Sequence, residues 1–262
     1  MLTETIGGYI IAGMEIVILG SGTGYPNPRR EPSGLLIRVG DFPLLFDAGS
    51  GTLGRLTRAG VDLDALEYIH FSHKHPDHCA DLVPILLACY LMRRTRPLHV
   101  VSSPSFFDYM ASAIELNPSA RHSGYELRQI DITHGPFSGP AWSVAAAPTG
   151  HTPESLAFRV AAEGKTVVYT GDAVATPALA EFARDADLLI AECSFPEDSK
   201  QSSKAFHLSP SQVGTIAEGA GVKHLLLTHF YPDCDQCDIA GQTAKWYSGQ
   251  ITIAEDGLRF VV

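Results

Sequence analysis

Apolar residues occur in short runs along this chain, separated by glycine-rich turns. In the first quarter, residues 14–19, 34–39 and 43–46 have the length and the β-branched or aromatic content of buried strands. The second and third runs are joined by a short turn, which predicts an antiparallel hairpin. The glycine-rich segment at residues 20–24 predicts a tight turn after the first strand.

Helical segments are interleaved with these strands. Residues 55–59 precede Gly60, and glycine commonly ends a helix. Residues 81–92 have helical length and an apolar face. Ser103-Pro104 supplies a cap and a first-turn proline for a helix that continues to Leu116.

The second half of the chain has the same alternation. Strands are predicted at residues 142–147, 157–162, 166–169, 188–192 and 225–228. Thr176-Pro177 caps a helix that continues to Arg184. A capping box at residues 209–212 begins another helix, which is expected to end at Gly221.

The end of the chain predicts a hairpin, because residues 251–254 and 259–262 flank the turn signal Asp256-Gly257. Strands interleaved with helices in both halves predict an α/β (α+β) fold in which two sheets pack face to face with helices outside. Residues 14–262 are expected to form one domain, preceded by an N-terminal extension at residues 1–13.

Composition narrows the classes of function. The chain has 262 residues, 45% of them apolar and 18% charged, which is typical of a globular protein rather than a disordered one. Its formal net charge of −10 disfavours general nucleic-acid binding, which depends on clustered Lys and Arg. The run Arg93-Arg94-Thr95-Arg96 is a candidate basic patch, although the solvated end of a helix is the commoner interpretation.

Cysteine usage and hydropathy favour a cytoplasmic protein without membrane contact. No secretory leader is visible, and no apolar run approaches the roughly 20 residues that span a bilayer. Five irregularly spaced cysteines argue against a disulfide scaffold and for a reducing compartment. Cys234 and Cys237 lack the second pair of a zinc ribbon, so we interpret them as unpaired loop thiols.

The densest candidate chemistry lies at residues 70–78, which read His-Phe-Ser-His-Lys-His-Pro-Asp-His. Alternate side chains of an extended segment point the same way, so His73 and His75 can bind one ion. The proline that follows favours a turn, after which Asp77 and His78 can reach a second ion. Imidazole and carboxylate are suitable ligands of Zn²⁺, and four within six residues argue against a polar loop with chance histidines.

Three further candidates follow predicted strands: His151, Asp172 and His229. Each of them alone is more typical of a hydrogen-bonded structural residue. Together they would supply a third ligand for each ion and a carboxylate that bridges the two ions.

The ordered pattern His-x-His-x-Asp-His, then His, Asp and His, resembles the metallo-β-lactamase superfamily from Met14 to about Val262. The resemblance implies an αββα sandwich of two mixed sheets with a metal pair at the edge between them. It assigns His73, His75 and His151 to a first zinc ion, Asp77, His78 and His229 to a second, and Asp172 to both. Manganese or iron could replace zinc. Asp47 matches the first family motif, where it braces the metal loop.

Two segments resemble the ribonuclease Z branch. Glu192-Cys193-Ser194-Phe195 is similar to its Glu-Ala-Thr-Phe element, and His207-Leu208-Ser209 to its His-x-Thr element. The resemblance implies that Glu192 and His207 form a pair beside the metals, in which the carboxylate orients and charges an imidazole that serves the scissile phosphate.

Bacterial ribonuclease Z usually carries a long arm that grips transfer RNA, between the residues that match His151 and Asp172; here only a strand hairpin fits. The expected function is therefore a dinuclear zinc phosphodiesterase, in which a metal-held hydroxide oriented by Asp77 attacks phosphorus. The alternatives are 3′ processing of precursor tRNA, in which the basic run would take the role of the arm, and hydrolysis of a thioester or lactone. The expected partner is a small phosphodiester or RNA substrate. The oligomeric state is left open, with a homodimer as one alternative.

Overall fold

The computed structural model describes residues 13–121, 124–201 and 205–262. Residues 1–12 of the predicted extension lie outside the described residues. The first half of the chain contains β1 (Met14–Gly20), β2 (Gly34–Val39), β3 (Phe42–Ala48), α1 (Thr52–Arg58), β4 (Tyr68–His70), α2 (Pro76–Cys79), α3 (Leu82–Leu91), β5 (Leu98–Ser102), α4 (Pro104–Leu116) and β6 (Leu127–Asp131).

The second half contains β7 (Phe137–Ser138), β8 (Trp142–Pro148), β9 (Leu156–Ala162), β10 (Lys165–Tyr169), α5 (Pro177–Phe182), β11 (Leu188–Glu192), α6 (Pro210–Gly219), β12 (His224–Thr228), α7 (Ile239–Thr243), β13 (Gln250–Ile253) and β14 (Arg259–Val261). Short 3₁₀ turns occupy Pro118–Ala120, Ile132–His134 and Pro232–Gln236.

The first sheet has the strand order β14-β1-β2-β3-β4-β5-β6. The predicted hairpin of β2 and β3 is confirmed, with Ile37 opposite Leu44. From β3 to β6 the strands run parallel. Their carboxyl ends therefore meet at one edge of the sheet, and the histidine-rich segment follows β4 at that edge.

The second sheet has the order β13-β12-β11-β10-β9-β8-β7 and is parallel from β10 to β13. β9 and β10 form a tight hairpin at Glu163-Gly164, where both residues have positive φ, 52° and 74°. The expectation of a strand hairpin between His151 and Asp172 is confirmed, because the chain between them consists of β9, β10 and their loops.

Three apolar layers hold these elements together. The inner faces of the two sheets share one buried core, which includes Ile37, Phe46, Phe158 and Ile190. A second core lies between the first sheet and α1, α3 and α4, and a third between the second sheet and α5, α6 and α7. The predicted αββα sandwich of two mixed sheets is confirmed.

The predicted closing hairpin is wrong. β13 pairs in parallel with β12 in the second sheet, whereas β14 pairs antiparallel with β1 in the first sheet. The turn between them carries the chain from one sheet to the other. Asp256 fixes this crossing, because its carboxylate accepts hydrogen bonds from the backbone N–H groups of Ser21 and Glu31, both at 2.8 Å.

Helix boundaries differ from the predictions by a few residues. α1 begins at Thr52 rather than residue 55, and α5 ends at Phe182 rather than Arg184. The helix end near Gly221 is confirmed, since that glycine takes a φ of 66° two residues after α6 ends. Among the helices of the described ranges, none is long and apolar enough to cross a membrane.

Candidate metal centre

The strand ends at the shared edge of the two sheets bring all seven predicted ligands together. His73 and His75 follow β4, Asp77 and His78 lie in α2, and the other three follow β8, β10 and β12: His151, Asp172 and His229. His229 has a φ of 60°, a left-handed conformation that costs roughly 1–2 kcal/mol outside glycine. Such strain is typical of functional positions.

The first cluster consists of His73, His75, His151 and Asp172, with one potential ligand atom from each lying within 4.8 Å of the others. Nδ1 of His75 lies 3.3 Å from Nε2 of His151. Oδ2 of Asp172 lies 3.5 Å from Nε2 of His151 and 3.7 Å from Nε2 of His73. Three imidazoles and a carboxylate thus surround one point, which is a suitable environment for a divalent cation.

The second cluster consists of Asp77, His78 and His229. Nε2 of His78 lies 3.2 Å from Nε2 of His229, and Oδ2 of Asp77 lies 3.5 Å from the latter atom. The second oxygen of Asp172, Oδ1, lies 3.1 Å from His78 and 3.2 Å from His229. Asp172 therefore presents one oxygen to each cluster, as a bridging carboxylate requires.

Two buried atoms show that this donor set fits cations. Nε2 of His73 and Oδ1 of Asp172 are buried and have no partner in hydrogen-bonding geometry among the described residues. An orphaned buried polar atom costs free energy unless some group satisfies it. Both atoms belong to the clusters of potential ligands, so the donor set fits the binding of cations.

Electrostatics prepares most of these groups for binding. Burial lowers the pKa of His73 and His75, which keeps their imidazoles neutral at pH 7. Burial acts to raise the pKa of Asp77 and of Asp172. The adjacent histidines together outweigh burial and lower both pKa values below the usual one, so both carboxylates are ionised. Neutral imidazole and ionised carboxylate are the forms that coordinate a metal.

His78 behaves differently. Burial acts to lower its pKa, but the carboxylates of Asp172 and Asp47 raise it well above 6.5. A proton and a metal ion therefore compete for Nε2 of this imidazole.

Asp47 holds the segment Ser72–His78 and the second cluster in place through hydrogen bonds, in agreement with the brace that the family resemblance implies. Its buried Oδ2 accepts hydrogen bonds from Nδ1 of His78 at 2.7 Å, and from the hydroxyls of Ser72 and Tyr169 at 2.8 Å. Its Oδ1 accepts the backbone N–H of Ser72 at 2.8 Å. Ser72 and Tyr169 were not predicted as supports from the sequence; their positions beside His73 and before Asp172 were the available signal.

Hydrogen bonds fix the tautomers of two rings of the first cluster, those of His73 and His151. Because the Ser72 hydroxyl donates to Asp47, it accepts from Nδ1–H of His73 at 2.9 Å. Nδ1–H of His151 donates to the carbonyl of Phe206 at 2.7 Å. In each ring the proton sits on Nδ1, which leaves the Nε2 lone pair facing the cluster.

The structure also brings Glu192 and His207 together, as predicted. Nδ1–H of His207 lies 3.1 Å from both carboxylate oxygens of Glu192. Burial acts to lower the pKa of His207, but Glu192 and then Asp172 raise it to about 9. The imidazole is therefore protonated at neutral pH, with Nε2–H as a second donor.

Ser194 connects this pair to the second cluster, which the sequence did not reveal. Its hydroxyl donates to Oε2 of Glu192 and accepts from Nδ1–H of His229 at 2.9 Å. Both Glu192 and Ser194 are fully buried. A ligand of the second cluster and the acidic imidazole of His207 thus share one hydrogen-bond network.

Two candidates from the sequence do not join the site. Arg94 is buried, and its guanidinium donates to the carbonyls of Leu63 and Pro97 at 2.6 and 2.7 Å, whereas Arg93 and Arg96 of the same run are exposed. Cys234 is buried and donates to the carbonyl of Ser194 at 3.2 Å, whereas Cys237 is exposed. Both thiols are free, as interpreted.

Known proteins are similar to this chain in sequence. A family model described as a beta-lactamase superfamily domain matches residues 43–230. The chain is 31% identical to the probable metallo-hydrolase YhfI of Bacillus subtilis (strain 168), over 93% of this chain and 98% of that protein. It is 29% identical to a ribonuclease Z of Mycobacterium avium (strain 104), over 93% of this chain and 96% of that protein.

Solved structures share the fold. The crystal structure of the metallo-beta-lactamase fold protein YhfI from Bacillus subtilis superposes with a TM-score of 0.83 at 27% identity, covering 95% of this chain and 99% of that one. The short form of human tRNase Z superposes with a TM-score of 0.77 at 23% identity, with the same coverage. The second likeness concerns the fold alone.

Proposed function

This chain belongs to the metallo-β-lactamase superfamily, in its ribonuclease Z-like branch, and is a metal-dependent hydrolase; we propose that it uses two zinc ions to hydrolyse small phosphodiesters. His73, His75 and His151 would hold the first ion, Asp77, His78 and His229 the second, and Asp172 both. Two such ions, when bound, activate a water molecule and neutralise charge on the phosphoryl group. Manganese or iron would fit the same donors.

Asp77 would orient the nucleophile. One of its oxygens, Oδ2, accepts the backbone N–H of Gly24 at 2.8 Å, and this contact holds the carboxylate in place. Because Asp77 is ionised, it can accept a hydrogen bond from the attacking water and direct the oxygen lone pair toward phosphorus.

His207 would act on the opposite side of the reaction. Its Nδ1–H is held by Glu192, so Nε2–H can donate to a phosphoryl oxygen or give its proton to the leaving oxygen. Its pKa of about 9 keeps this proton available at neutral pH. General acid catalysis of this kind typically contributes ~10²–10⁴ in rate.

The observation that carries the preference for small diesters is the tight turn at Glu163-Gly164, which stands where the branch usually has its tRNA-gripping arm. A polyanion such as tRNA requires clustered cations, and this chain has a net charge of −10. Arg94 is also buried away from solvent. A small diester needs the metals, Asp77 and His207, and few distant contacts.

Two substrates assayed at about 150 mM salt test this proposal. We expect hydrolysis of bis-p-nitrophenyl phosphate and poor cleavage of precursor tRNA. Efficient site-specific cleavage of precursor tRNA would replace the proposal with tRNA 3′ processing, which the ribonuclease Z relatives make the alternative. Activity on a lactone or thioester without activity on any diester would point to the carbonyl alternative.

The His207→Ala variant tests the role of His207 in the same diester assay. We expect kcat on the diester to fall by ~10²–10⁴ while zinc content, measured on the same preparation, is retained. Zinc loss in proportion to activity would make His207 a ligand, and unchanged activity would remove the general acid from the mechanism.

A further inference from the structure

An exposed aromatic side chain lies beside the second cluster. Tyr25 is 59% exposed, and the residue before it, Gly24, donates its N–H to Asp77. The N–H of Tyr25 itself donates to the hydroxyl of Thr23 at 3.1 Å, which holds the backbone of the turn. A large exposed ring is thus placed one residue from the backbone contact to a proposed metal ligand.

The segment that carries Tyr25 is firmly joined to the segment that carries Tyr231. The N–H of Phe230 donates to the carbonyl of Ser21 at 2.9 Å, and Gly22 forms a parallel bridge with Phe230. Asp235 then accepts from Nε of Arg30 and from Nδ2 of Asn27, each at 2.8 Å. These contacts make the two segments one wall of the metal site.

Tyr231 lies where this wall meets His207 and His229. Its ring centroid lies 6.2 Å from that of His207 and 6.5 Å from that of His229. Phe195 stacks on Tyr231 at 4.4 Å with an interplanar angle of 19°, which covers one face of the ring. The Tyr25 ring lies 6.4 Å from Tyr231, inclined at 59°. The two inclined rings of Tyr25 and Tyr231 therefore form an aromatic corner beside His207 and His229.

We propose that Tyr25 and Tyr231 form a subsite for a nucleobase carried on the non-leaving ester group of the substrate. The proposal rests on the proposed phosphodiesterase function. Tyr25 lies on the side of Asp77, which orients the nucleophile, whereas His207 serves the leaving oxygen. Non-leaving groups project between these two positions in an in-line displacement.

Stacking explains why this corner suits a base. Every nucleobase presents a π face, and an aromatic ring binds it without reading its hydrogen-bonding edge. Tyrosine offers a large contact area at low cost in conformational entropy. A subsite of this kind needs no cluster of positive charge, which agrees with an acidic chain.

Two esters with the same leaving group test the subsite. Thymidine 5′-(p-nitrophenyl phosphate) carries a base on the non-leaving side, and methyl p-nitrophenyl phosphate does not. We expect the wild-type ratio of kcat/KM, thymidine ester over methyl ester, to favour the base. In Tyr25→Ala this ratio should fall by about 5–150-fold, the range that loss of one base-stacking ring gives.

Tyr25→Phe separates stacking from a structural effect, because it keeps the ring and should retain the ratio. Tyr90→Ala is the matched control, since Tyr90 is also exposed but lies near the far end of α3. A wild-type ratio near one, or a ratio unchanged in Tyr25→Ala, would overturn the subsite while leaving the phosphodiesterase proposal intact. Failure of the wild-type protein to hydrolyse either ester would instead overturn the proposed function.

Discussion

Replacing Asp47 by Asn tests how strongly the brace behind His78 controls the metals. The carboxylate is fully buried and accepts four hydrogen bonds from Ser72, Tyr169 and His78. An amide has one acceptor oxygen and one donor NH₂ group. Whichever way it is turned, at least one buried donor of Ser72, Tyr169 or His78 faces the NH₂ group.

The cost follows from these contacts. A buried donor left unsatisfied costs about 1–3 kcal/mol, and bonds to a charged acceptor are stronger than those to a neutral one. We therefore expect the metal-free variant to lose about 2–4 kcal/mol of unfolding free energy. The amide can also donate to Nδ1 of His78, which moves the ring proton to Nε2, the atom that must bind the second ion. Loss of such an orienting partner typically weakens metal affinity by ~10–100-fold.

The assay is a competition of metal-free protein with a chromophoric zinc chelator, fitted for two sites. Asp187→Asn is the matched control, because Asp187 accepts the N–H of Thr166 at 2.8 Å and pairs with Lys223 at 2.9 Å ahead of β11, at the opposite end of that strand from the site. Asp47→Asn should weaken the second site and the control should not. Equal affinities in wild type and Asp47→Asn would refute the role of the brace.

Three further predictions concern His207, His78 and Asp256. Because the pKa of His207 is raised to about 9, its second ring proton is present below that pH and lost above it. We therefore expect kcat/KM on a diester to fall as the pH rises through about 9, and a flat alkaline profile would contradict the role of His207 as general acid. Because the pKa of His78 is raised well above 6.5, both of its ring nitrogens carry a proton at pH 7, and zinc binding should release one of them. The binding enthalpy measured by calorimetry should then change with the ionisation enthalpy of the buffer, and an enthalpy independent of the buffer would contradict this. Asp256→Ala should lower the unfolding free energy by about 2–4 kcal/mol through loss of its bonds to Ser21 and Glu31, and a loss below about 0.5 kcal/mol in denaturant titration would contradict it.

Elements with local start and stop signals could be predicted from the sequence. α4 begins at Pro104 with Ser103 at the N-cap position as predicted, although the Ser103 side chain makes no capping hydrogen bond. The capping box begins α6, where the N–H of Ser209 donates to Oε1 of Gln212 at 2.9 Å, a bond between residues close in sequence. The closing hairpin could not be predicted correctly, because the partners of β13 and β14 are distant strands. A turn signal such as Asp256-Gly257 indicates that the chain reverses direction, but it does not indicate which sheet the next strand joins.

The site divides in the same way. His73 through His78 are neighbours in sequence, so their joint chemistry is visible directly. His229 lies 151 residues after His78, and only the ordered family pattern predicted that the two imidazoles meet. Ser194 and Tyr25 were not found, since the sequence carries no sign that a serine links Glu192 to His229 or that an exposed tyrosine borders Asp77.

Arg94 shows why a run of charge is a weak predictor. Three arginines within four residues suggest a solvated surface, yet Arg94 is buried and donates to the carbonyls of Leu63, Arg96 and Pro97. Whether a cation faces solvent or a carbonyl depends on the path of the chain around it. The sequence alone does not specify that path.

The proposed function rests on two ions acting together, and a zinc titration of activity tests this most directly. Metal-free protein would receive zinc in increments while hydrolysis of bis-p-nitrophenyl phosphate is recorded. The arrangement of both clusters around Asp172 predicts that activity reaches its plateau at two equivalents of zinc per chain. A plateau at one equivalent, or no activity at any zinc concentration, would contradict the two-metal mechanism.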